Sequence, residues 1–397
     1  MRIGIAAMSS RVGRGGGVDV FTRNLLDALA NYESPHQLVV LVDERALDAW
    51  DYRQWPDHIQ FKTIYHLLPR SLAQRGCRFL LRRLGVSGLE QEAEARQIDR
   101  MGLDLVHFPA TAISLQSLAT PCILTFFDLQ QEYYPQFFTK AILAGRAESY
   151  RSSVDKAVRV IVPTRFTQDT LSEKYQTPTP KMSIIPVGRA PEFCRASALN
   201  IDRIKTKYQL PPSFIYYPAN PWQHKNHARL IAALRIYRDR HGESPWLVLS
   251  GRLPDEHRDA LSLAIAAGVE DRVIDLEYLP IADLPALYSA ATVMVFPSLF
   301  EGFGIPLVEA MACGCPVVAA AATTIPEVTG DAALLFDPFD PSAIADAIHS
   351  AIHNPELRTA LVANGYRQLH RFDWQDIVAQ HHAVYAQAAQ EARGAGC

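Results

Sequence analysis

Thirteen short apolar runs punctuate the chain, each bounded by glycine, proline or polar residues. In the first half they lie at 2–8, 37–43, 61–67, 103–109, 122–128, 159–164 and 181–187. In the second half they lie at 213–219, 246–251, 272–279, 293–299, 316–321 and 333–338. Most are nearly continuous in Val, Ile, Leu and Phe rather than alternating, which predicts parallel strands covered on both faces. Between them, stretches such as 19–31, 226–240, 282–291 and 341–352 carry apolar residues at helical spacing, and FDWQDIVAQHHAVYAQAAQEA continues that pattern at the end. Alternation of strand and helix predicts an α/β protein with doubly wound parallel sheets. The pattern pauses over 188–212, which has prolines near both ends and no strong apolar run. This divides the sequence into two Rossmann-like domains, expected over 1–195 and 210–370, with a cleft between such halves as the natural ligand site.

The bulk numbers narrow the class. A length of 397 residues suits two domains, and 48% hydrophobic with 20% charged residues is ordinary for a soluble globular protein. A formal net charge of −3 gives no support to a nucleic-acid partner. The six cysteines are scattered without zinc-ligand or Cys-x-x-Cys spacing, and read as reduced thiols. The N-terminal apolar run is too short for a signal peptide, and no stretch approaches the ~18 apolar residues of a membrane span. The expected location is cytoplasmic. One segment adds a membrane question: LPRSLAQRGCRFLLRRLGV sets Arg70, Arg75, Arg78, Arg82 and Arg83 among leucines and Phe79. Residues 70–84 fit either a solvated helix packed on its own domain or peripheral contact with an anionic membrane at its inner face.

Candidate chemistry gathers in three loops. VFPSLFEGFGIPLVEAMACGCPVV reads as strand, glycine loop, and helix with Pro306 in the first turn. Free N–H groups at such a helix start suit an anion or a sugar hydroxyl, and Gly302 and Gly304 let backbone approach a ligand. Glu301 lies on the loop and Glu309 about one turn inside the helix, so the pair can accept hydrogen bonds from two parts of one extended, hydroxyl-rich ligand. An ordinary strand–turn–helix with two surface acids gives the same pattern, and a glycosidase pair is a further reading. YYPANPWQHKNHARLIAAL repeats the arrangement, with Lys225 and Asn226 at the helix start. A lysine there opposes the helix dipole, and holding a diphosphate gives it a reason. His224 and His227 alone are a poor metal pair. GRGGGVDVFTRNLLDAL opens the first helix, but Gly15, Gly16 and Gly17 do not have the G-x-G-x-x-G dinucleotide spacing.

Taken together, FPSLFEGFGIPLVEAMACGCPVVAA with IPEVTGDAALLFDP, YPANPWQHKNHARLIAAL and GGGVDVFTRNLLDAL resemble the motifs of the family 4 retaining glycosyltransferases, including their E-x7-E signature. The resemblance implies a GT-B fold, two Rossmann-like doubly wound domains facing a cleft, with the last helix, 373–391, crossing back onto the first. It implies that Glu309 takes the nucleotide ribose, that Lys225 takes the diphosphate, and that Glu301 with Gly302, Phe303, Gly304 and Ile305 takes the donor sugar. Asn220, Asn226 and Leu279 complete the donor side. Gly16, Gly17, Phe127 and Gln130 fall on the acceptor side, with Asp128 as a catalytic residue. Three positions depart from the family: Asn220 stands near the place of a common arginine, Phe127 at that of a common histidine, and Gln131 where some close relatives have histidine.

The implied activity is transfer of a hexose from a nucleotide-sugar to a hydroxyl of a glycan or lipid-linked acceptor, in cell-surface polysaccharide or glycoconjugate synthesis. It implies no cofactor and no metal, in keeping with a sequence that lacks a D-x-D motif. The lysine loop resembles those of bacterial mannosyltransferases and points to GDP-mannose, with UDP-linked glucose or N-acetylglucosamine open. A GT-B nucleotide-sugar epimerase and a non-catalytic nucleotide-sugar-binding protein are the alternatives, the second suggested by Phe127.

Overall fold

The computed structural model describes residues 1–8, 17–44, 55–66, 86–251 and 259–394. Gly16 and the basic segment 70–84 lie outside them. The chain forms two compact units, Met1–Gly188 with Trp374–Cys397, and Arg189–Asp373.

The first unit is built on seven parallel strands: β1 (Arg2–Ala6), β2 (Gln37–Asp43), β3 (Ile59–Ile64), β4 (Leu105–Phe108), β5 (Cys122–Thr125), β6 (Arg159–Val162) and β7 (Met182–Ile184). Their spatial order is β3-β2-β1-β4-β5-β6-β7. The second has six parallel strands: β8 (Ile215–Pro218), β9 (Leu247–Ser250), β10 (Val273–Asp275), β11 (Val293–Phe296), β12 (Val317–Ala320) and β13 (Ala333–Phe336), in the order β10-β9-β8-β11-β12-β13. Every predicted run thus contributes a strand. The central ones, such as β4, β5, β9 and β11, are buried at every residue because helices cover both faces.

Strand order reverses direction between β1 and β4 in one sheet and between β8 and β11 in the other. In open parallel sheets the crevice at the C-terminal edge of such a reversal receives ligands. The chain therefore places the loops after β8 and β11 side by side, although some 76 residues separate Lys225 from Glu301.

Three helices begin at the candidate loops: α1 (Gly17–Asn31), α2 (His227–His241) and α3 (Ile305–Ala312). A fourth, α4 (Trp374–Gly394), belongs to the first unit. Its buried face, Ile377, Val378, His381, Val384, Tyr385, Ala388 and Ala389, recurs at helical spacing. His107 Nδ1 of β4 lies 2.9 Å from the Tyr385 hydroxyl, its Nε2 lies 2.7 Å from Thr125 Oγ1, and Arg159 of β6 grips Glu391 with Nε–Oε2 2.9 Å and Nη2–Oε1 2.5 Å. Burial holds the His107 imidazole well below its ordinary pKa, so it serves this network uncharged.

Two expectations need correction. Most strands are shorter than their apolar runs; β10 stops at Asp275 rather than 279, with Glu277 at φ 58° in the left-handed region soon after. The stretch 188–212, where the pattern pauses, contains a helix, Ala198–Lys207, capped by the Ser197 side chain. Ile204 is its one buried residue, so its apolar stripe was too thin to register as a period.

Candidate active site

The loops after β8 and β11 are fastened to each other before any ligand is considered. The Tyr217 hydroxyl, from β8, donates to the Lys225 carbonyl at 2.7 Å and lies 3.2 Å from Ser298 Oγ. The Leu299 amide donates to the His224 carbonyl at 2.8 Å. Asn226 adopts φ 62°, a left-handed conformation that asparagine tolerates, and precedes α2. Its Nδ2 donates to Pro297 O at 3.0 Å and Pro338 O at 2.9 Å, so this side chain acts as a rivet between loops.

On this frame Lys225 Nζ donates to Glu301 Oε1 at 2.7 Å, with the two side chains only 15% and 11% exposed. The ammonium also lies 5.8 Å from the Phe296 ring centre. A half-enclosed cation beside a carboxylate, at a sheet's reversal point, is suited to an anion carrying hydroxyls nearby. Burial first, then the Lys225 charge, push the His224 pKa down to about 3, leaving a neutral ring beside the ammonium.

The Glu301 loop is braced from behind. Its amide donates to Thr323 Oγ1 at 3.2 Å, and Thr324 Oγ1 donates to the Glu301 carbonyl at 3.1 Å and towards Phe303 O at 3.4 Å. Phe303 is buried edge-on against Phe372, so it anchors the loop while Gly302 stays partly open. Gly304 precedes α3 at φ 91°, and a Cβ there would lie 2.8 Å from Leu307 Cδ1. Ile305 begins α3, partly exposed. One turn in, Glu309 accepts a hydrogen bond from the Tyr288 hydroxyl at 2.7 Å. Burial pushes its pKa up to about 7, against the opposing pull of that hydrogen bond. Leu279 is buried. The Asn220 Oδ1, just beyond β8, is enclosed yet has no hydrogen-bond partner among the described residues.

The first unit holds the other predicted residues. Gly17 is the exposed first residue of α1. Phe127 is 9% exposed and packs edge-to-face on Phe21 of α1, with ring centres 5.0 Å apart. Asp128 Oδ1 accepts from the Gln130 amide at 3.1 Å. Phe127 and Asp128 lie past the end of β5, and Gln130 opens a short helix, Gln130–Tyr133, rather than continuing the strand. The Gln130 Nε2 is buried without a hydrogen-bond partner among the described residues. Because the Phe127 ring fills space against Phe21, Phe127→His should lower the melting temperature by a few degrees, about 1 kcal/mol or more of lost packing. Transfer per folded molecule should stay at or above the parent level. Melting and turnover measured on the same sample separate these; a loss of turnover without destabilisation would contradict the packing role.

Sequence reasoning passed over Tyr217, Tyr288, Thr323 and Thr324, which hold the acids and the lysine in place. Only Tyr217 had a signal, its position on the strand that feeds the lysine loop.

Two doubly wound parallel sheets are the architecture expected of a GT-B fold. The Glycosyltransferase Family 4 model matches residues 15–193, and the Glycosyl transferases group 1 model matches residues 200–368. O-antigen chain mannosyltransferase B of Escherichia coli is 30% identical over 260 residues, 65% of this chain and 68% of that one. Among solved structures, sucrose-phosphate synthase from Thermosynechococcus elongatus gives a TM-score of 0.75 at 22% identity, covering 98% of both chains. Anabaena Alr3699/HepE, in complex with UDP and glucose, gives 0.73 at 19%, covering 98% of this chain and 100% of that one. The chain belongs to glycosyltransferase family 4.

Proposed function

We propose that the protein is a retaining mannosyltransferase that moves mannose from GDP-mannose to a hydroxyl of a glycan or lipid-linked acceptor, with no metal or cofactor in the transfer. The observation that carries this reading is the 2.7 Å Lys225–Glu301 pair at the reversal point of the second sheet. The O-antigen mannosyltransferase relative supports the sugar, and a glycan-building role. Lys225 turns towards the donor diphosphate and stabilises the charge that grows there as the sugar departs. Glu301 and the backbone of 302–305 hold the sugar, Glu309 accepts from the ribose hydroxyls, and the departing phosphate takes the acceptor's proton. Asn220 and Gln130 each bring an unpaired amide atom for ligand hydroxyls. Asp128 orients the acceptor.

No helix among the described residues is long and apolar enough to cross a membrane. A lipid-linked acceptor is reached by peripheral contact of residues 70–84 with the inner face of the membrane.

The test is a panel of nucleotide-sugars with and without a mannose-bearing acceptor. Acceptor-dependent release of GDP from GDP-mannose, with an α-linked product by NMR, is expected. An altered sugar on an intact nucleotide would make the protein an epimerase, and binding without turnover a carrier. UDP release from UDP-glucose alone would replace the donor assignment.

A further inference from the structure

A cluster of ligand-type side chains lies in the first unit, apart from every residue assigned above. His66 follows β3, and Asp43 is the last residue of β2, so the two adjacent parallel strands deliver them together. Across from them runs the helix Val86–Asp99, whose Glu90, Glu94 and Gln97 share one face at i, i+4 and i+7. The Gln97 side chain fixes the register: Nε2 donates to Tyr65 O at 2.7 Å, and Oε1 accepts from the Tyr65 amide at 3.1 Å. That clamp sets the next residue, His66, over the two glutamates. Its Nδ1 lies 2.7 Å from Glu94 Oε1 and 3.3 Å from Glu90 Oε1, while Nε2 lies 2.9 Å from Asp43 Oδ1. Glu44 Oε1 accepts from the His66 amide at 3.3 Å.

The geometry suits a cation. Three carboxylates, those of Asp43, Glu90 and Glu94, face the two ring nitrogens of one imidazole. The side chains of His66, Glu90 and Glu94 are largely enclosed, at 12%, 21% and 13% exposure, where like charges are poorly screened. Among the described residues, these three form the one group of three or more His, Cys, Asp or Glu side chains whose ligand atoms all lie within 4.8 Å of one another. A tetrahedral zinc with N and O ligands at ~2.0–2.2 Å separates its ligand atoms by about 3.3–3.6 Å. To match it, the 2.7 Å Nδ1–Glu94 pair would open by less than about 1 Å, and the 3.3 Å Nδ1–Glu90 pair already fits. A carboxylate on the far ring nitrogen is what a metal-bound histidine usually has, fixing its tautomer and direction.

We propose that His66 Nδ1, Glu90 and Glu94 bind one zinc-class divalent cation, with Asp43 as the positioning residue on the opposite nitrogen. Three protein ligands leave a fourth position to water. The ion takes no part in sugar transfer; it ties the end of β3 to the facing helix. An imidazole nitrogen among the ligands favours zinc over magnesium or calcium, which prefer oxygen throughout.

The experiment uses the full chain freed of metal with a chelator, then dialysed against zinc chloride. Metal content by elemental analysis and the melting temperature are both read. One zinc per chain at micromolar free zinc, a raised melting temperature, and no displacement by millimolar magnesium are expected. His66→Ala and Glu94→Gln should abolish stoichiometric binding. Asp43→Asn, which keeps all three ligands, should weaken it about 10–100-fold at unchanged stoichiometry. Circular dichroism of the metal-free variants checks that they fold. Less than one zinc per chain in the parent, or full binding retained by the His66→Ala/Glu94→Gln double variant, overturns the site. So does Asp43→Asn binding with parental affinity, which removes the positioning role.

Discussion

Glu309→Gln is expected to make the protein more heat-stable at mildly alkaline pH and to weaken donor binding about ten-fold. Both effects come from one carboxyl. Its pKa in the folded chain is about 7, against a usual 4.5, because burial disfavours the anion more than the Tyr288 hydroxyl favours it. Between those values the unfolded chain has lost this proton while the folded chain keeps it. Stability from this group therefore falls as pH rises through the window, and the deficit is complete above 7. Glutamine keeps the shape and an acceptor for Tyr288 but has no charge to desolvate. Its advantage should be absent at acidic pH, grow through the window and then level off. A gain of a few degrees is the expected scale, since about 1 kcal/mol moves a unit of this size by roughly 2–4 °C. On the proposed reading ribose hydroxyls donate to this carboxylate, so the same change would remove a charged hydrogen bond from the complex. Thermal melts across pH and calorimetry with the nucleotide measure the two halves. A stability gain that does not vary with pH would refute the desolvation account, and an unchanged affinity would refute the ribose role.

Lys225→Ala should reduce turnover by about 10²–10³ while changing donor affinity by less than ten-fold. The lysine is already paired at rest, with Glu301 at 2.7 Å, so donor binding exchanges one anion for another and gains little. On the proposed reading the gain would come as the sugar leaves and negative charge accumulates on the diphosphate. Lys225→Arg should not restore activity, because a planar guanidinium cannot replace a point charge in a half-enclosed space fitted to it. Removing the lysine also leaves Glu301, 11% exposed, without its cation, so some loss of melting temperature accompanies the kinetic effect. Single-turnover rates and nucleotide-sugar titrations on the same preparation separate the steps. Equal losses in affinity and in the chemical step would assign Lys225 to ground-state binding instead.

The strands were legible because parallel strands covered on both faces must be apolar at nearly every position, and β4, β5, β9 and β11 are. Their ends were not, because burial continues past the last ladder bond: Phe126 and Phe127 beyond β5, and Leu299, Phe300 and Phe303 beyond β11, are all buried in loops. The lysine and the two acids were legible as residue types that their local positions did not require. The direct pairing of Lys225 with Glu301 followed only from strand order, since adjacency of β8 and β11 is a property of the sheet and leaves no local periodicity. Tyr288 and the threonines that brace the site come from other segments for the same reason. The His66 group combines three segments, and its one visible trace, Glu90 and Glu94 four apart on a helix, is a commonplace of solvated helix faces.

The first unit's dependence on α4 has a consequence for how the chain comes to be folded as it leaves the ribosome. Residues 189–373 are contiguous and have all their strands once the last of them has emerged. The first unit must wait for the second, because Tyr385 and Glu391 follow the whole of residues 189–373. Until then His107 lacks its hydroxyl and Arg159 its carboxylate, and the surface that Ile377, Val378 and Val384 of α4 pack on stands open to water. The later-made half can thus mature before the earlier one, and the nascent first half is the part with most need of protection from aggregation.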